Sequence, residues 1–500
     1  MNFQSLINSL QYIKPEIVIA VVIVLVVTTD LIMGKNKSLL PWISIAGLIV
    51  ASFFVIEQFS FKAVSSNANG SIGMITADPF GAFFKIIVIV SSIIIVFFSL
   101  SSNEIKEAFE RHGEYYTLIF GMILGMFFMI SSADLILIYL SIELLSLSSY
   151  ILAGFTKHSL RNSEASLKYI IYGGASSGIM LFGISIIYGL TGTTNLYLLN
   201  SFFHLPQFGG FIFWLACILI FAGIGFKISA APFHFWTPDV YEGAPITITA
   251  YLSIASKAAG FALLIRFIKV TFIDSVDASG YWQLLNLIDW KSFLILISIL
   301  TMTLGNFAAL WQSNMKRLLA YSSIAHAGYL LLGLAVLSDQ GLIAILIYFA
   351  IYAFMNLGAF FVVMIIANKI GSEEIDDYKG LGYSMPFLSF SIAVFLISLT
   401  GIPPTAGFIA KLYLFIALVD AKMIAVAVIA LLNTVVSLYY YIKVLKNMYL
   451  VRPEKEMPAV LVSPAAFAML IVLLVPIFLF GIYFTPLVNL AKSSIGLMGF

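Results

Sequence analysis

Three lysines and one glutamate occupy stretches that leave them no water. Glu143 lies in LILIYLSIELLSLSSYILAGF, Lys227 in ACILIFAGIGFKISAAPFHFW, Lys257 in ITAYLSIASKAAGFALLI and Lys411 in PPTAGFIAKLYLFIAL. A charge at the centre of a bilayer costs on the order of 3 kcal/mol on insertion scales. Such groups must pair, meet water or give up their charge. Proton transfer is the chemistry that suits them. A lysine in water holds its proton to about pH 10.4; desolvation favours the neutral amine, and a nearby carboxylate favours the ammonium. If Glu143 approaches and leaves Lys227, the lysine alternates between holding and releasing a proton. Lys257 and Lys411 extend such a relay, with His326 as a protonatable step between them.

Each group also has a static reading. Glu143 and Lys227 can form a fixed ion pair that sets helix packing, although intramembrane ionisable groups are functional by default. For Lys257 and Lys411 no second intramembrane acid is in view. His234 and His326 can simply hydrogen-bond a neighbouring helix. Lys168, near the cytoplasmic end of its span, can snorkel. Asp30, Asp134 and Lys85 fall near span ends, where solvation accounts for them.

Other chemistries fail on inspection. Gly223-Ile-Gly225 lacks the third glycine of a dinucleotide fingerprint and lies inside an apolar run, and there is no P-loop. The single cysteine, Cys217, can form no internal disulfide and hold no iron–sulfur cluster, which takes about four cysteines; it reads as a small buried hydrophobe. Haem ligation by His234 and His326 has no supporting motif. With 26 basic and 24 acidic residues and no basic block, nucleic acid is not a partner.

The elements that must position these charges are membrane helices. Apolar residues make up 61% of the 500 and charged residues 10%, against about 45–50% and 25% in soluble domains. Mean hydropathy is +1.05. A chain with so little charge cannot cover a soluble surface, so the fold class is an all-α polytopic membrane protein. Spans of about 20 apolar residues are predicted at 16–33, 39–57, 79–100, 115–132, 134–154, 165–190, 209–230, 246–270, 292–311, 318–337, 341–367, 386–419, 423–446 and 462–489. The first has no cleavage motif behind it and is read as retained.

The seventh span runs into Pro232, and the twelfth is interrupted at Gly401-Ile402-Pro403-Pro404. Freed backbone groups at such breaks must be buried in protein or line a wet cavity. Both breaks accompany a lysine, and the two spans cross in opposite directions. Glu143 precedes Lys227 by 84 residues and His326 precedes Lys411 by 85 (227 − 143 and 411 − 326). This predicts two inverted five-helix repeats, spans 4–8 and 9–13, with broken helices 7 and 12, the arrangement that marks ion paths in transporters. The organisation expected is one integral membrane domain, 1–500, divided into 1–114, a first repeat at 115–270, a second at 292–446 and a last helix at 462–489. Fifteen Lys and Arg fall in the loops on one side and seven on the other, Arg266 and Lys269 among the seven. Both termini are therefore expected outside the cytoplasm.

These residues resemble a known family. Gly225-Phe-Lys-Ile-Ser-Ala-Ala-Pro-Phe-His-Phe-Trp-Thr-Pro-Asp-Val-Tyr-Glu-Gly-Ala-Pro245 is similar to the helix 7–8 signature of the antiporter-like membrane subunits of proton-pumping NADH:quinone oxidoreductase, respiratory complex I, and among them of the subunit N family. Ser166-Leu-Lys-Tyr-Ile-Ile-Tyr-Gly-Gly-Ala-Ser-Ser177 and Gly401-Ile-Pro-Pro-Thr-Ala-Gly-Phe408 resemble the same family. The resemblance implies that Glu143 and Lys227 are the paired carboxylate and lysine, Lys257 the central-axis lysine and Lys411 the exit residue. Lys168 and His234 fall on family positions, His326 less specifically. It implies a proton-translocating subunit without a redox cofactor of its own. NADH, FMN, iron–sulfur clusters and quinone would belong to partner subunits of the membrane and peripheral arms, in a bacterial inner membrane rather than an organelle. A subunit of a multisubunit sodium/proton antiporter is the alternative, and a static scaffold the third reading.

Overall fold

The computed structural model describes residues 10–34, 37–61, 64–65, 73–156, 160–205, 208–452 and 462–497. Lys35, Lys62, Lys157 and Lys455, four of the charges counted for orientation, lie outside the described residues. Fourteen spans run as α1 Lys14–Met33, α2 Leu40–Gln58, α3 Pro79–Ser101, α4 His112–Ser131, α5 Leu135–Ala153, α6 Leu160–Thr191, α7 Phe211–Ile228, α8 Ile246–Phe272, α9 Trp290–Ala309, α10 Met315–Ala335, α11 Asp339–Ile370, α12 in two halves, Pro386–Thr400 and Ala406–Asp420, α13 Ile424–Leu450 and α14 Pro464–Ile482. All but α12 are long and apolar enough to cross a bilayer unbroken. Among the described residues two short antiparallel ribbons form, β1 Val64–Ser65 with β2 Thr76–Ala77 between α2 and α3, and β3 Ile273–Val276 with β4 Trp282–Leu284 between α8 and α9.

Several spans start where a side chain can satisfy the first free amides. Asp78 caps α3, Asp134 α5, Asp289 α9, Asn314 α10, Ser338 α11 and Ser463 α14. Asp134 is thus held by structure rather than by solvent. It is buried, accepting from the amides of Ile136 and Leu137 and from the Thr194 hydroxyl at 2.7 Å.

The two halves of the molecule repeat one packing scheme. α4 packs on α5 as α9 packs on α10; α4 meets α8 as α9 meets α13; α6 lies against α7 as α11 lies against both halves of α12. The closest backbone approaches recur in register. A Cβ on Gly125 of α4 would stand 2.6 Å from the Leu145 amide nitrogen and 3.0 Å from the Ser141 carbonyl oxygen; one on Gly305 of α9 would stand 2.6 Å from that of Ala325 and 2.9 Å from that of Tyr321. Each pair of counterparts is 180 residues apart (305 − 125). Small residues at such crossings let membrane helices touch backbone to backbone. The caps repeat too: Asp134 bridges to Asn195 after α6, and Asn314 to Glu374 after α11.

This register refines the expected correspondence. An offset of 180 places Ser323, not His326, at the position of Glu143, and His326 lies almost one turn further on. The 84 and 85 spacings compare different turns of α5 and α10, because the lysine sits before the break in α7 and after it in α12.

The core axis is α8, buried along its whole length, with α10 and α11 almost as enclosed. Arg266 and Lys269, counted as loop charges, lie inside α8 and are buried. Arg266 makes a bidentate pair with Asp78 at 2.7 and 2.9 Å, and Lys269 meets Asp339 at 3.2 Å. Lys85, expected to be solvated, is also buried, 2.6 Å from an equally buried Glu16 and 3.1 Å from the side-chain amide oxygen Oε1 of Gln58.

Candidate functional site

Lys227 occupies the last turn of α7, which ends at Ser229 in the left-handed conformation (φ 61°). A branch-bearing residue there is strained and needs support. The Thr237 hydroxyl donates to Ser229 Oγ at 2.8 Å. The break that follows, before the short helix Trp236–Gly243, is enclosed on one side only: Ala230, Ala231 and His234 are buried, while Pro232 and Phe235 are exposed. The Ala231 amide donates to Thr301 Oγ1 of α9 at 2.9 Å, and the Trp236 indole to the Phe226 carbonyl at 2.9 Å.

The Lys227 ammonium has no hydrogen-bond partner among the described residues. It faces aromatic rings instead: Tyr150 of α5 at 5.7 Å, Tyr169 of α6 at 5.6 Å and its neighbour Phe226 at 5.7 Å. No ion pair within 4.0 Å joins Lys227 to Glu143, whose Oε1 is likewise without a partner. The glutamate is half-buried rather than sealed from the surface, with one buried oxygen unpartnered. Glu143 and Lys227, expected to approach and separate, are apart in this structure.

Lys257 follows a π-helical turn, Leu252–Ser256, in the middle of α8. Such turns are frequent at functional positions. The Lys257 ammonium donates to the carbonyl and to the hydroxyl of Ser323 on α10, both at 2.9 Å. Asn356 of α11 donates to the Ser253 hydroxyl at 2.6 Å. His326, on the same helix as Ser323, bonds through Nδ1 to the Tyr348 hydroxyl at 2.7 Å and stacks on Tyr352 at 4.8 Å. It lies within electrostatic reach of both Lys257 and Lys411.

Lys411 lies in the second turn of the second half of α12 and donates back across the break to the Thr400 carbonyl at 2.8 Å, with the Tyr329 ring 4.9 Å away. Glycine is required at 401: its φ is +87°, and a Cβ would meet the Lys411 stem at 2.8 Å. His234 lies in the α7 break, largely buried and stacked on Phe235 at 4.5 Å, within reach of the Lys257 charge.

The structure thus gathers Lys257, His326, Lys411 and His234 around α8 and α10. Lys227 adjoins them where Gly260 of α8 packs on Ile228 and the Lys227 stem. Lys168 stands apart. It belongs to a half-exposed network in which its ammonium meets Asp239 at 2.6 Å and Glu164 at 2.8 Å. Arg317 of α10 meets the same Asp239 at 2.7 Å and Glu242 at 2.8 Å. These residues line a cavity of about 260 Å³ with Arg161. Burial works against the charged form of Asp239, but hydrogen bonds from Lys168 and Arg317 prevail and hold its carboxyl below the usual carboxylate range.

Ser323, Tyr348, Tyr150 and Tyr329 were not legible as site residues, because serine and tyrosine are common in membrane helices and carry no spacing signal. Glu104, in the short helix Asn103–Glu107, carried no signal either, because a glutamate in a polar loop between spans reads as solvated. It accepts from the Ile246 amide at the start of α8 at 3.1 Å, and burial raises its carboxyl above the ordinary value. Among the described residues no group of three or more His, Cys, Asp or Glu is placed to hold a metal ion.

The profile of the NADH:quinone oxidoreductase/Mrp antiporter transmembrane family matches residues 132–437, which contain both repeats almost entirely. NADH-quinone oxidoreductase subunit N 2 of Chloroherpeton thalassium is 48% identical over 493 residues, covering 97% of this chain and 94% of that protein. NADH-quinone oxidoreductase subunit N of Chlorobium chlorochromatii is 43% identical over 510 residues, covering 100% and 98%. A chain of respiratory complex I from Thermus thermophilus, solved with bound aureothin, is 28% identical with a TM-score of 0.76, covering 96% of this chain and 99% of that one. The chain therefore belongs to the NADH:quinone oxidoreductase/Mrp antiporter transmembrane family, among its subunit N members.

Proposed function

We propose that this chain is a proton-translocating membrane-arm subunit of an NADH:quinone oxidoreductase, coupling quinone reduction in partner subunits to proton transfer through Glu143, Lys227, Lys257, His326 and Lys411. His234 borders the path, and Lys168 serves its cytoplasmic mouth through the Asp239–Arg317 network. The chain carries no redox centre of its own; NADH, FMN, iron–sulfur clusters and quinone are handled by the other subunits. It works as one membrane domain of two inverted repeats, 115–270 and 292–446, flanked by 1–114 and 462–489. It resides in a bacterial inner membrane with both termini outside the cytoplasm.

The observation that carries this reading is the placement of Lys257 and His326. Two ionisable groups stand at the most enclosed axis of the molecule, joined to hydroxyls rather than to carboxylates. A group with only neutral partners can lose its charge without stranding a counterion. Full-length relatives at 43–48% identity carry the subunit N name, which favours this reading over a sodium/proton antiporter subunit.

The test is the composition and transport of the complex purified through a tag on this chain. Flavin- and iron–sulfur-containing subunits should co-purify, and proton transfer in vesicles should track quinone reduction. Recovery with small antiporter subunits, and sodium-dependent proton exchange without NADH, would overturn it.

A further inference from the structure

The ammonium groups of the two broken-helix lysines rest on tyrosine rings presented by corresponding helices of the two repeats. Lys227 faces Tyr150 of α5, and Lys411 faces Tyr329 of α10. The repeat offset of 180 carries Tyr329 to Ser149, the residue beside Tyr150, so the two rings reach their lysines from neighbouring turn positions. Both tyrosines are buried. We propose that Tyr150 and Tyr329 are positioning residues for proton transfer, each offering its ring face as a resting place for the lysine ammonium when no carboxylate is in contact. This rests on the relay reading given above.

The geometry at Lys227 makes the case. Its ammonium has no hydrogen-bond partner among the described residues, and Glu143 Oε1 has none either. Tyr150 follows Glu143 by seven residues, two turns, on the same helix and faces Lys227, so one face of α5 carries both the carboxylate and the ring. An aromatic face attracts a cation electrostatically, most strongly where water is excluded. It neither accepts the proton nor supplies a countercharge that would lock the lysine in one state.

The slot is built for this ring. A Cβ on Gly173 of α6 would stand 1.8 Å from the Tyr150 hydroxyl oxygen, so only glycine there admits the tyrosine. The ring is further fixed edge-on against Tyr169 at 4.6 Å, and Tyr169 stacks on Trp236 at 4.5 Å. At Lys411 the Thr400 carbonyl and the Tyr329 ring share the ammonium, and the Tyr329 hydroxyl is anchored on Thr434 at 3.1 Å.

Fluorination tests the ring face without changing its shape. Tyr150→Phe is made first, then mono-, di- and trifluorophenylalanine at the same position, in the complete complex. Buried Tyr440, which faces no lysine, receives the same series as a control. Quinone-coupled proton transfer per assembled complex should fall stepwise at position 150, roughly tenfold from phenylalanine to the trifluoro form, and stay level at 440. A level series at 150, or parallel declines at 150 and 440, would overturn the proposal. So would misassembly of Tyr150→Phe, because the hydroxyl and not the ring would then be what the site needs. Lys227→Met separates the two claims. Lost pumping in that variant beside a level series leaves the relay standing and removes only the ring's part. Normal pumping in it sinks the relay and this proposal together.

Discussion

The Lys257 ammonium is held by both oxygens of Ser323, each at 2.9 Å, and Ser323 stands where the first repeat places Glu143. Equivalent turns of α5 and α10 thus present a carboxylate in one half and a neutral hydroxyl in the other. Ser323→Ala removes one of two acceptors and keeps the carbonyl. A hydrogen bond to a charged group contributes about 1.5–3 kcal/mol, so proton transfer should fall roughly tenfold in a complex that still assembles. Unchanged transfer would show that the hydroxyl is a bystander.

Lys257→Arg and Lys257→Met separate a proton carrier from a fixed charge. Arginine keeps its proton, with a pKa above about 12, while apolar replacement of a buried charge is often tolerated. Both variants should assemble and both should lose quinone-coupled pumping. Near-normal pumping by an assembled arginine variant would end the case for transfer at this position.

Glu143→Gln should impair pumping severely, and Asp134→Asn should not. The two acids lie on one helix but differ in task. Asp134 caps α5 through its side-chain oxygen, which asparagine supplies equally well. Glu143 has a buried oxygen with no partner and is the acid proposed to exchange with Lys227. Proton transfer by vesicles holding the whole complex compares them directly, and equal losses would remove the distinction.

Asp78→Ala should destabilise the subunit by about 3–5 kcal/mol, because it leaves the Arg266 guanidinium buried without its carboxylate. Both partners are fully enclosed, and the pair ties the start of α3 to α8. The retained assembled fraction after a graded heat challenge in detergent reports the loss. A retained fraction like that of the unaltered complex would mean that water or lipid headgroups replace the pair.

Asp239 sets a pH expectation in the half-exposed network it shares with Lys168 and Arg317. Its carboxyl is held below the usual range by Lys168 and Arg317, so its contribution to stability is present above the unfolded-state pKa of about 3.9 and fades only as pH falls through the lower folded value. The stability difference between the unaltered protein and Asp239→Asn should therefore be constant from about pH 6 to 8 and shrink below about pH 4. A difference that changes across neutrality would place the titration elsewhere in the network.

The residue order by itself determined where the chain crosses the membrane, where two crossings break and which charges lie in the apolar interior. These are local properties. Insertion depends on the composition of about 20 consecutive residues, and proline and glycine act on their own turn, as at Pro232 and Gly401. The repeat was legible from its breaks for the same reason. Only the tertiary structure decided which groups meet. Lys85 found Glu16, Arg266 found Asp78, and Lys257 found Ser323 rather than any acid. Glu143 and Lys227 stand apart, and the Tyr150 ring faces the lysine. Partners across helices depend on rotation and depth. Those are set by backbone contacts such as Gly125 on Leu145 and Gly305 on Ala325, and a difference of one turn in α10 exchanges Ser323 for His326.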